Sequence, residues 1–434
     1  MRTPTERPGP APAARVIRAR NAVAAVFFLN GLAIASWFAR TPAATEALDL
    51  SSGRFGLVLL GLSVGAVLAM LTAGSASSRL GTRPVAGASA VLLVVGLVVA
   101  GIGTGVLNSV PVAVAGLLAV GYGSGTCDVA MNVEAAMVER RLGRTVMPRF
   151  HAAWSVGTVS GAAIGAGASR LGISIEISLA MIAAVVLIGT LTAVRSFLPA
   201  ALIAETSLPD ETSPLAETSP LAEGSSAEPD RRNSALSAWT EPRTLLIGLL
   251  VLVMAFTEGS ANDWVALAFV DDYRVSEPVG AVVFGVFVGA MTVGRTIGTV
   301  ALDRWGRVRV LTATMLLAAA GATITVLAGS LALAVIGVAL WGLGASLGFP
   351  VGMSAAADDE SRAAVRASVV ALIGYTAFLA GPPLVGLLGD HVGILRALLV
   401  VPLVLLPALF LVPVSRPPAA RPQPTPSPSP SHQP

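Results

Sequence analysis

Twelve apolar stretches, each about 18–25 residues long, run through the chain from Ala22 to Val412. A stretch of about 20 apolar residues is what crosses a bilayer as a helix. A water-soluble fold has no use for a dozen of them. With 54% hydrophobic and only 12% charged residues, the composition agrees, and the reading is an all-α polytopic membrane protein.

All 28 basic residues are arginine, and their placement points to a membrane orientation rather than to nucleic acid. One set of connections carries eleven: Arg79, Arg83, Arg140, Arg141, Arg144, Arg149, Arg304, Arg307, Arg309, Arg362 and Arg366. The alternate set carries five: Arg40, Arg54, Arg170, Arg274 and Arg396. Positive loops stay in the cytoplasm, so both termini are expected there, in a plasma (inner) membrane. Arg15, Arg18 and Arg20 before the first span reinforce that orientation. They could also imitate a secretory signal, but eleven further spans favour an uncleaved first helix. The single cysteine, Cys127, excludes an intrachain disulfide.

The spans are expected near Ala22–Phe38, Phe55–Gly74, Val85–Val106, Val112–Val138, Ala152–Ala168 and Ile175–Val194. A second set follows near Thr244–Val270, Val279–Leu302, Val308–Ala328, Leu331–Ala355, Ala367–Leu388 and Leu395–Val412. Five regions result: a cytoplasmic tail over 1–21, a six-helix bundle over 22–194, a linker over 195–242, a second bundle over 243–413 and a Pro-rich tail over 414–434. The linker is acidic and rich in Pro, Ser and Thr, a composition that predicts a disordered cytoplasmic tether.

The two halves echo one another. Span two carries Gly61-x3-Gly65 before Ser78-Arg79-Leu80-Gly81, and span eight carries Gly285-x3-Gly289 before Asp303-Arg304-Trp305-Gly306. Span four has Gly116-x4-Gly121-x-Gly123, and span ten repeats it as Gly337-x4-Gly342-x-Gly344. Asn30-Gly31 … Trp37 in span one matches Glu258-Gly259 … Trp264 in span seven. A duplicated six-helix unit is the natural reading.

With these features the chain resembles the major facilitator superfamily over about Ala22 to Val412. The family signature after the second helix of each half is G-x-x-x-D-R-x-G-R-[RK]. The first copy here runs from Gly74 through Ser78, Arg79, Gly81 and Thr82 to Arg83, departing at Ser78 and Thr82. The second keeps Asp303, Arg304, Gly306 and Arg307 but has Thr299 in place of the leading glycine. The resemblance implies that these loops latch the halves together on the cytoplasmic side, with Asp303 directed at the start of span five near His151. Ser78 could cap a helix without a charge, giving a weaker latch. Residues Cys127–Glu134 and the Arg-rich run after them resemble a bacterial branch with some likeness to proton-coupled sugar permeases of the fucose type. Span five lacks the glycine–proline motif of many drug/proton antiporters.

Ionisable groups inside a membrane are costly, so each is a functional candidate. Asp128 and Asn132 stand four residues apart on one face of span four, and Glu258 and Asn262 repeat the pair in span seven. An acid and an amide so placed can hold a proton and a polar ligand. Glu134, about 240° from Asp128 around the helix, is expected in a structural ion pair, and Asp263 near an entrance. The Asp271–Asp272 pair reads as solvated loop. Arg295 could hold an anionic substrate, neutralise Asp128 or Glu258, or snorkel to the surface; Phe287 and Met291 would make its wall apolar. His151, Trp154, Ser155 and Thr158 form a polar stripe on span five. Asn30 and Trp37 share a face of span one, and Trp37, Trp264, Trp341, Tyr375 and Phe378 could stack on a ligand or pack in the core.

A chain without lysine has no G-x-x-x-x-G-K-[ST] phosphate loop. Its scattered His and Cys form no metal pattern, and no cofactor or nucleic-acid partner is implied. The expectation is a monomeric, non-enzymatic secondary transporter of a small, sugar-like polar solute, coupled to protons and working by alternating access. A proton-antiport exporter of hydrophobic compounds and a non-translocating sensor are the alternatives.

Overall fold

The computed structural model describes residues 12–143, 146–198, 235–358 and 362–417. The first half supplies spans Pro12–Phe38, Ser52–Leu80, Thr82–Gly105, Val110–Leu142, Met147–Arg170 and Ile175–Ala193. In the second half, span seven is Pro242–Asp271, and spans eight and nine form one element, Glu277–Leu327. Span ten is Leu331–Ala345 with Gly348–Ala356, span eleven is Ala363–Val392, and span twelve is assembled from Ile394–Ala397, Val400–Ala408 and the 3₁₀ turn Leu409–Ser415. Among the described residues, ten helices are long and apolar enough to cross a membrane. Glu277–Leu327 counts twice, because it bends at Gly306, and Met147–Arg170, too polar to qualify alone, is the twelfth.

Several boundaries depart from expectation. Span one begins at Pro12, ten residues before Ala22, so Arg15, Arg18 and Arg20 stand on the helix and not in a tail. A short helix, Thr41–Ala47, follows span one unannounced. Span ten breaks at Ser346 and Leu347, four and three residues before Pro350. Proline has no N–H for the carbonyl one turn back, so the ladder cannot run through. The expected linker lies outside the described residues over 199–234.

The glycine repeats become one three-dimensional pattern. Gly116 and Gly123 lie against Ala100 and Leu93 of span three, while Gly121 faces the Leu62 carbonyl of span two. Gly337 and Gly344 lie against Thr325 and Ala318 of span nine, while Gly342 faces the Phe287 carbonyl of span eight. A Cβ at Gly121 would sit 1.9 Å from that carbonyl oxygen. Only glycine allows spans four and ten to approach both neighbours this closely.

The halves meet through spans two and eleven and through spans five and eight. Polar ties between them gather at the face opposite the chain ends, here the distal face. Arg40, buried, pairs with Glu277 at 2.9 Å and donates to the Ile173 carbonyl at 3.0 Å. Asp390 at the end of span eleven accepts the Gly53 N–H at 2.9 Å and the Ser51 hydroxyl at 3.0 Å. A carboxylate there meets the positive end of the span two dipole. Phe55 packs edge-on against Trp264 in the same region.

At the opposite, terminal face, carboxylates anchor the chain on either side of 199–234. Glu134, fully buried, accepts from the Thr82 hydroxyl and from the Leu198 N–H, both at 2.6 Å. The ion pair expected for it is replaced by these two neutral donors, which also gives Thr82 a role in its departure from the signature. Glu241 pairs with Arg362 and, at 2.6 Å, with Arg366.

Candidate functional site

Glu258 lies 16 residues after Pro242 and 13 before Asp271, so span seven carries it near mid-membrane. Span eight brings Arg295 beside it, with one guanidinium nitrogen 3.2 and 3.3 Å from the two carboxylate oxygens. The Nε of Arg295 donates at 3.4 Å to the Ser346 carbonyl. That carbonyl is the acceptor Pro350 leaves without a helical donor. From the other half, Trp154 lays its ring 5.8 Å from the guanidinium carbon, a cation–π contact across the interface. Of the options open for Arg295, the structure selects Glu258 as its ion partner.

Span four places Asp128 at similar depth, 14 residues before Leu142. Asn132 donates to the Asp128 carboxylate at 3.2 Å and to its carbonyl at 2.8 Å, so the amide is spent mostly within its own helix. Among the described residues Asp128 has no cationic partner. Ser124, one turn earlier, donates to Asn30 of span one at 3.0 Å. Tyr375 of span eleven stands between Phe349 and Phe378, with ring centroids at 6.2 and 6.0 Å. Asn262, half-buried, makes no hydrogen bond among the described residues.

Other expected contributors face elsewhere. Trp37, Trp264 and Trp341 are fully buried, and Trp341 donates to the Thr257 carbonyl. They are packing residues in this conformation and none can stack on a ligand. Ser155 and Thr158 are buried, with Thr158 beside Gly31 of span one. The span five stripe thus splits between helix packing and Trp154, while His151 lies edge-on to Phe27. Phe287 and Met291 are buried, Phe287 against Trp341. Asp263 is also buried, not at an open entrance. Asp272 is more than solvated loop, since it accepts the Leu395 N–H at 3.0 Å.

The signature loops lie at the terminal face. Gly81 and Gly306 share one conformation, φ 85° and ψ 159° against φ 77° and ψ 163°, a region open to glycine and closed to side chains. Arg307 pairs with Asp358, two residues beyond the end of span ten, at 2.6 Å and donates to Ser354 of that span, and Asp358 also takes Arg243 at 2.8 Å. Ser78 caps nothing: its hydroxyl donates back to the Ser75 carbonyl. Arg79, Arg83 and Asp303 are exposed, and Arg304 rests on Trp305. Among the described residues Asp303 has no hydrogen-bond or ion-pair partner, so its contact with span five is not made in this state. Gly74 has open space around it, which explains how Thr299 can fill the matching position.

Two pseudo-symmetric six-helix units, tied at one face and carrying ionisable groups at mid-depth, define a transmembrane transporter. The model for the Major Facilitator Superfamily matches residues 247–433. An uncharacterized MFS-type transporter of Yersinia pestis is 31% identical over 367 residues, 84% of this chain and 87% of that one. The membrane protein MosC of Rhizobium meliloti is 27% identical, covering 87% of this chain and 86% of its own. Among solved structures, the nucleoside transporter NupG superposes with a TM-score of 0.69 at 12% identity, covering 92% of this chain and 98% of that one. The transporter FucP in its outward conformation gives 0.60 at 15% identity, covering 93% and 99%. At such identities the two structures speak for the fold alone. The chain belongs to the major facilitator superfamily.

Proposed function

We propose that the protein moves a small polar solute across the inner membrane together with protons, by alternating access, with both termini cytoplasmic. The observation that carries this reading is the unequal treatment of two mid-membrane carboxylates. Glu258 is neutralised by Arg295, whereas Asp128 has an amide and no cation among the described residues. An intramembrane carboxylate without a counter-ion is where a transferable proton can sit. Arg295 and Glu258 together offer donors and acceptors to a hydroxylated or anionic solute, with Trp154 and Tyr375 as flat walls. The ties at the distal face correspond to a state closed toward the outside. A second reading, export of hydrophobic compounds against protons, draws on the aromatic run Phe349, Tyr375 and Phe378.

The test is proton movement in proteoliposomes with an internal pH dye, while sugars, polyols, organic acids and hydrophobic cations are added in turn. A solute-triggered proton flux that Asp128→Asn abolishes supports coupling at Asp128. Solute uptake without proton movement sinks the coupled mechanism, and a response confined to hydrophobic cations moves the assignment to export.

A further inference from the structure

Span one packs against spans five and six, which barely touch each other, so a strip of span one stays uncovered between them. Along its span six edge, at the terminal face, runs an open groove of about 500 Å³. Its chemistry is graded along its length. Arg18, Asn21 and Ser196 stand at the mouth, while Ala25, Leu29 and Gly189 form the deeper part. From Arg18 to Leu29 is eleven residues, about 16 Å of helix, and the hydrocarbon core is about 30 Å thick. The groove is therefore one leaflet deep.

The mouth is built of donors. Arg18 is exposed and has no carboxylate partner among the described residues. The Asn21 carbonyl is occupied by Arg20 at 2.9 and 3.1 Å, which leaves its NH₂ to donate outward. Ser196 adds an exposed hydroxyl. A cation with no carboxylate partner among the described residues, at the membrane surface above an apolar channel of leaflet length, matches an anionic phospholipid in both charge and shape. We infer that this groove is a lipid site. The phosphate lies on Arg18 and the Asn21 amide, and an acyl chain runs along Ala25 and Leu29. The inference needs only a bilayer and this fold, and stands apart from the transport reading.

The experiment is native mass spectrometry of the purified full-length protein titrated with phosphatidylglycerol or phosphatidylcholine of matched chains. The wild type is expected to retain phosphatidylglycerol in preference. Arg18→Gln weakens that retention about fivefold, the effect of one basic residue at an anionic surface, and Arg18→Lys restores it. Ala25→Leu, which fills the channel, lowers retention of both lipids. Arg54→Gln, an exposed arginine at the distal face, leaves retention unchanged. Equal retention of the two lipids by the wild type overturns the site, as does an Arg18→Gln protein that holds phosphatidylglycerol like the wild type. A lipid-free dimer that Ala25→Leu dissolves would give the groove to a second copy of the chain instead.

Discussion

Ser63 of span two donates its hydroxyl at 2.6 Å to the carbonyl of Phe378 in span eleven. Phe378 is four residues before Pro382, so no helical N–H can reach that carbonyl. A side chain from the other half supplies the donor. The same arrangement recurs where Pro350 frees the Ser346 carbonyl for Arg295. In both places a proline in the second half exposes a backbone acceptor, and a polar side chain of a neighbouring span fills it.

Removing the Ser63 hydroxyl leaves the Phe378 carbonyl unpaired, at a cost of about 1–3 kcal/mol to the state in which the halves touch there. Ser63→Ala and Asp390→Ala should both shift the protein toward opening at the distal face. Spin labels at Glu46→Cys and Arg396→Cys, on a Cys127→Ser background, would report this as a longer distance population. Distance distributions identical to the parent would mean these bonds do not hold the face shut.

Arg295 and Glu258 form a partly buried pair, with side chains 26% and 14% exposed. Breaking such a pair from one side strands the other charge. Arg295→Gln and Glu258→Gln are each expected to lower thermal stability by about 2–4 kcal/mol. The double variant should lose less than the sum of the two. Additive losses in the melting curves would show the two charges to be energetically independent.

Gly306→Ala forces a side chain into a backbone region that costs about 1–3 kcal/mol, and Gly81→Ala should do the same. Gly74→Ala should be neutral, since nothing lies within 4 Å of the added carbon. The three melting temperatures, taken together, separate the conformational demand of the signature from its packing. A Gly306→Ala protein as stable as Gly74→Ala would refute the distinction.

Glu241 lies just outside span seven. Burial raises its carboxyl, but hydrogen bonds from Arg366 and Thr244 and the charges of Arg366 and Arg362 outweigh this and hold it below the ordinary glutamate range. A lowered folded-state pKa contributes stability above the unfolded value and loses it as pH falls. The stability gap between wild type and Glu241→Gln should therefore be full at neutral pH and shrink below about pH 4. It should stay near 1 kcal/mol at most, as for other accessible ion pairs. A gap that widened on acidification would contradict the assignment.

Hydropathy and the repeated glycines were enough to read most of the helices, because bilayer thickness and close helix contact impose strict local demands. Gly81 and Gly306 were visible for the same reason. Tertiary pairing was not. Arg40 reads only as one arginine of the sparser set of connections, and nothing in its local sequence, or in that of Glu277 and Asp390, says which half each will face. Glu134 seemed to call for an arginine and found a hydroxyl and a backbone N–H. For Trp37 the sequence leaves stacking on a ligand and packing in the core both open, because an indole on a helix face has the same pattern whether the face meets a cavity or a neighbour. The carbonyls freed by Pro350 and Pro382 could have been inferred from sequence, but not the side chains that claim them.

Span five carries a consequence for how the protein is made. Met147–Arg170 is less apolar than the other spans, and its glycines lie on the backbone of span one, with Gly157 against the Phe28 carbonyl and Gly161 against that of Leu32. In a nascent chain ending shortly after Arg170, this helix gains its close backbone contacts from span one, which is already in the membrane. Biogenesis of the first half then becomes an assembly step, in which the earliest helix to enter the membrane acts as the receptor for the fifth.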